Sequence, residues 1–167
     1  MILLATSALT VAAVGVAAGH GAAREELVRE AVQLVRQPYG DFELSAAARR
    51  APFDWSTDGC SRTPAPLARR FAGPCRQHDF AYRNLGRGLR LRPDEATRRW
   101  ADARFLSELR RRCAELFAGL RLRGCRATAR AMWVAVRRFG PRWEPGARAR
   151  DARARGRCVA PGAAQVT

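Results

Sequence analysis

The chain has 167 residues, 31 of them basic and 15 acidic, giving a formal net charge of +16, and 47% are hydrophobic. That length holds one domain plus tails around a small core, which excludes a multi-domain architecture; the ordinary apolar fraction excludes a wholly disordered polyelectrolyte. Every basic residue is arginine, and although a GC-rich coding bias accounts for that, the consequence is a permanently charged surface that favours anionic partners, nucleic acid or anionic lipid.

Residues Ile2 to Gly19 carry no charge. The run is just long enough to span a bilayer. It is rich in Ala, Gly and Thr and ends in small residues, so residues 1–23 read as a secretory signal cut after Ala18 or Ala23, with an uncleaved anchor as the second reading. No Lys or Arg precedes the run. Five cysteines follow: Cys60, Cys75, Cys113, Cys125 and Cys158. In an exported chain they are disulfide candidates first, and the odd count leaves one over. Cys158, in a Gly/Ala/Arg-rich tail with little to pack against, is the spare.

Arg24 to Arg36, "REELVREAVQLVR", has helical spacing, with Leu27, Ala31, Leu34 and Val35 on one face. Pro38 and Gly40 break it. From Pro52 to Pro74 no period holds, and the prolines and glycines there predict a loop region, a common seat for ligand-binding residues. A second helix starts near Pro74 and carries Cys75, His78, Asp79 and Tyr82 on one stripe. "LGRGLRLR" ends it. "RPDEATRRW" starts a third, with Pro93 near its first position and Asp94 and Glu95 in the first turn. Its apolar stripe is Asp102, Phe105, Leu106, Leu109, Cys113, Leu116 and Phe117. A loop containing Gly124 is expected next. Ala129, Met132, Trp133, Val136 and Phe139 then form a last stripe, stopped by Gly140-Pro141. No useful strand alternation and no internal repeat occur. The expectation is an all-α, small, disulfide-stapled helical domain over residues 24–143, followed by a disordered basic tail over 144–167.

Asp102 stands on an otherwise apolar helix face, and burying a carboxylate unpaired costs several kcal/mol, of the order of 5. An antiparallel pair of helices with Asp102 hydrogen-bonded to His78 removes that cost, and the intervening segment suits such a hairpin. In that register Cys75 lies level with about Phe105, on the order of 12 Å from Cys113 at the helical rise. A disulfide needs Cα atoms within about 7 Å. The preferred pairs are therefore Cys60–Cys75 and Cys113–Cys125. The first brings Asp58 and Gly59 close to Asp79, a hard-oxygen set that suits Ca²⁺, beside a histidine with its own orienting acid. A salt-bridged core histidine with solvated aspartates fits the same spacing equally well.

"FDWSTDGC" followed by "CRQHDFAYRN" resembles the bacterial and fungal secreted (prokaryotic-type) phospholipase A2 family. "ADARFLSELRRRC" resembles its second catalytic helix and "TARAMWVAVRRFG" its closing helix. The resemblance runs from about Phe53 to Gly140, with Ala81 where the family usually has glycine. It implies a helical fold with a calcium-dependent esterase site: His78 as the base that activates water, Asp102 as its orienter, and Asp58, Gly59 and Asp79 as calcium ligands. It further implies a secreted, extracellular monomer acting on a phospholipid membrane or micelle surface, favouring anionic lipid, with no specific nucleic acid partner. The alternative is a non-catalytic basic binder of anionic membranes or nucleic acid on the same scaffold. Tyr82 fits either a hydrogen bond to Asp102 or packing. Asp54 reads as turn-forming rather than as an extra ligand, and Trp55, Phe71 and Phe80 as core rather than acyl pocket. Arg121, Arg123 and Arg126 read as a solvated face rather than as contacts to lipid phosphate.

Overall fold

The computed structural model describes residues 11–61 and 63–139. Among the described residues it is helical with no strand: α1 (Val11–Arg36), α2 (Tyr39–Ala47), α3 (Ala65–Arg70), α4 (Ala72–Ala81), a π-helical turn (Tyr82–Arg87), α5 (Glu95–Leu116) and α6 (Gly119–Phe139). Two disulfides staple it, Cys60–Cys75 with Cα atoms 5.4 Å apart and Cys113–Cys125 with Cα atoms 5.6 Å apart, the pairs expected from helical register. The expected tail and Cys158 lie outside the described residues. Helix α1 passes unbroken through the boundary expected at residues 23–24, and no helix among the described residues is long and apolar enough to cross a membrane.

Four local expectations are revised. Pro38 does stop α1, but Tyr39 opens a new helix at once and Gly40 lies inside it. What holds α2 is packing: Phe42 is 2% exposed, with its ring 5.3 Å from that of Phe80. Burying such a side chain stabilises by roughly 1.5–3 kcal/mol, enough to outweigh one glycine in a helix. The stretch read as loop to Pro74 contains α3 and the start of α4. Pro93 precedes the helix rather than opening it. Asp94 is the N-cap of α5, and its carboxylate accepts from the Thr97 N–H at 2.8 Å and the Thr97 hydroxyl at 2.8 Å. Gly124 lies within α6, not in a loop. The reversal is made just before it, at Gly119, whose φ of +55° lies in the left-handed region.

The ends of the helices are tied by side chains. Gln77 of α4 donates to the carbonyls of Leu34, Val35 and Gln37 at 3.3, 3.3 and 2.8 Å. Arg104 of α5 donates to those of Val35, Arg36 and Gln37. Together they satisfy the orphan acceptors at the C-terminus of α1. Glu108, fully buried, accepts from Arg104, Arg111 and the Tyr39 N–H, fixing α2 to α5. One core cluster joins α1, α2, α4 and the π-turn through Val35, Phe42, Phe53, Phe80 and Leu85. A second joins α4, α5 and α6 through Phe71, Phe105, Leu109, Ala129 and the disulfides. His78 stands on α4 where the two meet, stacked on Phe105 at 4.4 Å.

Candidate active site

Helices α4 and α5 run antiparallel. As the numbers rise from His78 to Tyr82, their partners fall from Phe105 to Arg98. The register brings His78 Nε2 to 2.8 Å from Asp102 Oδ1. The Asp102 side chain is fully buried and that of His78 is 10% exposed. Three further groups face the same carboxylate. The Tyr82 hydroxyl donates to Oδ1 at 2.8 Å, so of its two readings the hydrogen bond holds. Arg137, from the end of α6, donates from Nη1 to Oδ2 at 2.8 Å. Arg98 Nε stands 3.9 Å from Oδ2 and donates to the Tyr82 hydroxyl at 3.3 Å.

Burial pushes the Asp102 pKa up. The hydrogen bond and charge of His78, then the bonds from Arg137 and Tyr82, outweigh it and hold the carboxyl below its ordinary value. Asp102 is thus an ionised acceptor. With Nε2–H donated to it, the other ring nitrogen of His78, Nδ1, keeps its lone pair.

The Cys60–Cys75 bridge anchors the loop that faces α4. The Thr57 hydroxyl donates to Asp79 Oδ2 at 2.5 Å, the Asp58 N–H donates to the same oxygen at 3.2 Å, and the Gly59 N–H donates to Thr57 Oγ1 at 2.9 Å. Gly59 has φ +65°, a conformation that a side chain would strain. The loop therefore brings Asp58 and Gly59 beside Asp79, as the expected disulfide requires. Asp79 is pushed up to about 6, by burial first, opposed by the Thr57 hydrogen bond, and raised further by the charge of Asp58. Two close carboxylates, the charge of one raising the proton affinity of the other, form a donor set that fits a hard divalent cation. No group of three or more His, Cys, Asp or Glu side chains at metal-binding separation occurs among the described residues. The fit rests on the two carboxylates, with Gly59 lining the same cavity.

His78, Asp58, Gly59 and Asp79 all open onto one cavity of about 710 Å³. Its lining includes the apolar side chains of Leu67, Phe105, Met132 and Val136. Phe139 stands at the cavity and is 78% exposed. Phe71 and Phe80 are core residues, 0% and 1% exposed, and Trp55 packs on Phe80 at 4.6 Å, away from the cavity lining. Asp54 is a turn residue whose carboxylate accepts from the Ser56 N–H and hydroxyl. Arg121, Arg123 and Arg126 are exposed.

Arg137, Arg98 and Thr57 were not singled out from the sequence. Arg137 follows Val136 on the closing helix, but among so many arginines nothing sets it apart. Thr57 was signalled only by its place next to Asp58.

The chain matches the family model for prokaryotic phospholipase A2 over residues 34–140. The match begins earlier than the resemblance read from Phe53 and takes in α2. A secretory phospholipase A2 of Arthroderma benhamiae is 38% identical over 82 residues, which cover 47% of this chain and 53% of that protein. The chain thus spans about half the length of that curated relative. With more than half of its residues inside the family match, the chain belongs to the prokaryotic phospholipase A2 family.

Proposed function

We propose that this chain is a secreted, calcium-dependent phospholipase A2 that hydrolyses the sn-2 ester of glycerophospholipids to a fatty acid and a lysophospholipid. The observation that carries the reading is the 2.8 Å contact between His78 and buried Asp102, on a histidine that shares its cavity with Asp58 and Asp79.

The proton bookkeeping follows from the tautomer. Asp102 accepts from Nε2–H, so Nδ1 of His78 takes a proton from water as the water oxygen bonds to the ester carbonyl carbon. The imidazolium that forms is stabilised by Asp102, itself held ionised by Arg137 and Tyr82. Collapse of the tetrahedral intermediate breaks the bond to the glycerol oxygen, and His78 returns its proton to that oxygen. The Asp58 and Asp79 carboxylates and the Gly59 carbonyl would hold Ca²⁺, which when bound would supply positive charge for the developing oxyanion. The apolar side chains of Leu67, Met132 and Val136 receive acyl chain. Exposed Phe139 and the +16 charge suit docking of a monomer on an anionic lipid surface. Disulfides and a secretory relative support export.

Fatty-acid release from phospholipid micelles, measured with calcium, with chelator and for His78→Ala, tests the reading. Loss of release of about 10³-fold in the variant is expected, together with loss under chelation. Release that survives either treatment refutes the mechanism.

A further inference from the structure

Two arginines on the π-turn line the same cavity as His78, and the mechanism uses neither. Arg83 is half-buried and Arg87 exposed. No ion pair is formed by either with a described residue. Arg83 Nε is a buried donor with no hydrogen-bond partner, although such groups are nearly always satisfied in folded proteins. By contrast, the arginines behind the site are committed: Arg98 and Arg137 to Glu95 and Asp102, and Arg104 to Glu108. The charge of Arg83 is felt by Asp54, but the Asp54 carboxylate accepts from Ser56 and not from the guanidinium, and a guanidinium in a cavity wall with no carboxylate bonded to it is a site for an anion that arrives with the ligand.

The π-turn sets its position. Asn84 is buried, and its amide donates to the Phe80 carbonyl at 2.9 Å and to the Asp54 carbonyl at 2.9 Å, while its Oδ1 accepts from the Asp54 N–H at 2.8 Å. That side chain occupies the Phe80 carbonyl and pins the widened turn to the loop before Asp58. Gly88 closes it, because a Cβ there would meet the Arg83 carbonyl oxygen at 2.1 Å. Arg83 follows Asp79 by one turn, an advance of about 6 Å. In a glycerophospholipid the sn-2 carbonyl carbon and the phosphorus are separated by the ester oxygen, two glycerol carbons and the phosphate-ester oxygen, on the order of 5 to 6 Å. The two lengths are of the same order.

Resting on the phospholipase reading above, we infer that Arg83 holds the phosphodiester of the lipid while His78 faces its ester, and that Arg87, at the rim, selects anionic over zwitterionic headgroups. The preferred substrate class is then a phospholipid with net negative charge, such as phosphatidylglycerol.

The experiment compares Arg83→Gln and Arg87→Gln with the full wild-type chain in calcium-containing neutral detergent micelles. Each micelle carries phosphatidylglycerol, phosphatidylcholine or a diacylglycerol, the last having the ester but no phosphate. Loss of one charge-assisted contact lowers the phosphatidylglycerol-to-diacylglycerol ratio of kcat/KM about tenfold in Arg83→Gln. Arg87→Gln lowers the phosphatidylglycerol-to-phosphatidylcholine ratio by a few-fold, and being exposed it keeps the test open if the first variant does not fold. Ratios unchanged in both variants, with wild type active, overturn this inference and leave the phospholipase reading standing. Wild type inactive on every lipid overturns both. Calorimetry with inorganic phosphate separates a lipid subsite from a general anion site. No measurable binding at millimolar phosphate is expected, and tight Arg83-dependent binding would overturn the lipid assignment.

Discussion

Arg137 Nη1 donates to Asp102 Oδ2 at 2.8 Å, and its Nη2 reaches Glu95 Oε1 at 2.9 Å. One guanidinium thus ties the end of α6 to the first turn of α5 and to the acid that orients His78. Removing it leaves Oδ2 with Arg98 at 3.9 Å, too long for a hydrogen bond. Arg137→Gln is expected to lower kcat about tenfold with KM little changed, since a charge-assisted bond contributes about 1.5–3 kcal/mol and Asp102 keeps two other donors. Arg137→Lys restores part of the loss. A rise in KM at unchanged kcat would show that Arg137 acts on lipid and not through Asp102.

The same contact sets how the fold responds to acid. Burial raises the Asp102 pKa, and the bonds from His78, Arg137 and Tyr82 bring it below the ordinary value of 3.8. A carboxyl with a depressed folded pKa contributes stability that is present above the unfolded pKa and lost as pH falls through the folded one. Taking away Arg137 removes one of the depressing contacts, so the folded pKa moves back toward the unfolded one and less stability is lost on acidification. Urea unfolding of wild type and Arg137→Gln from about pH 6 down to about pH 2 measures this. The variant is expected to start less stable near pH 6 and to lose less on the way down, so that the two curves converge in acid, and parallel curves would contradict the assignment.

The site's central pair was legible because a carboxylate on an apolar stripe has few physical solutions. Asp102 needed a donor, and His78 was the only histidine on a neighbouring helix. The disulfides followed from the helical rise once that register was set. Helix α2 was not legible, because Pro38 and Gly40 are honest stop signals that only the burial of Phe42 against Phe80 overrides. Gly124 misled for a related reason. The Cys113–Cys125 bridge and the packing of Ala129 hold that glycine in a helix. The π-turn depends on where the Asn84 amide finds its partners, residues 54 and 80. Glu108 shows the limit from the other side. It is a second fully buried acid on α5, with its own arginines, and it lies outside the cavity that holds His78.

Asp79 gives the proposed metal site its own pH dependence. Its pKa of about 6 in the calcium-free protein is raised by burial and then by Asp58, against the Thr57 hydroxyl. A proton and a cation compete for the same carboxylate. Calcium affinity is therefore expected to be level above about pH 7 and to weaken by about tenfold per unit below pH 6. In stability the sign is the reverse of that for Asp102. A carboxyl whose folded pKa is raised favours the calcium-free fold below its unfolded pKa, and that contribution is lost as pH rises from about 4 to about 6. Calorimetric titration with calcium across that range reads the first effect. Asp79→Asn should abolish the binding, and pH-independent affinity would remove Asp79 from the ligand set.

The two disulfides are expected to fail in different ways. Cys113–Cys125 closes a separation of 12 residues between α5 and α6, within the second core cluster. Cys60–Cys75 closes a separation of 15 and holds the Thr57–Cys60 loop against α4. In the chain-entropy model each contributes roughly 3 kcal/mol. The Cys113→Ser/Cys125→Ser pair is expected to lower stability by about that much while leaving calcium affinity close to wild type, because no proposed ligand lies on that loop. The Cys60→Ser/Cys75→Ser pair should lose a similar stability and also weaken calcium binding at least tenfold, because Asp58 and Gly59 are then held to Asp79 only by the Thr57 and Asp58 hydrogen bonds. Denaturant melts combined with calcium titration separate the two effects. Equal calcium affinity in both double variants would show that the loop keeps its place without the bridge, and the ligand role of Asp58 and Gly59 would lose its structural basis.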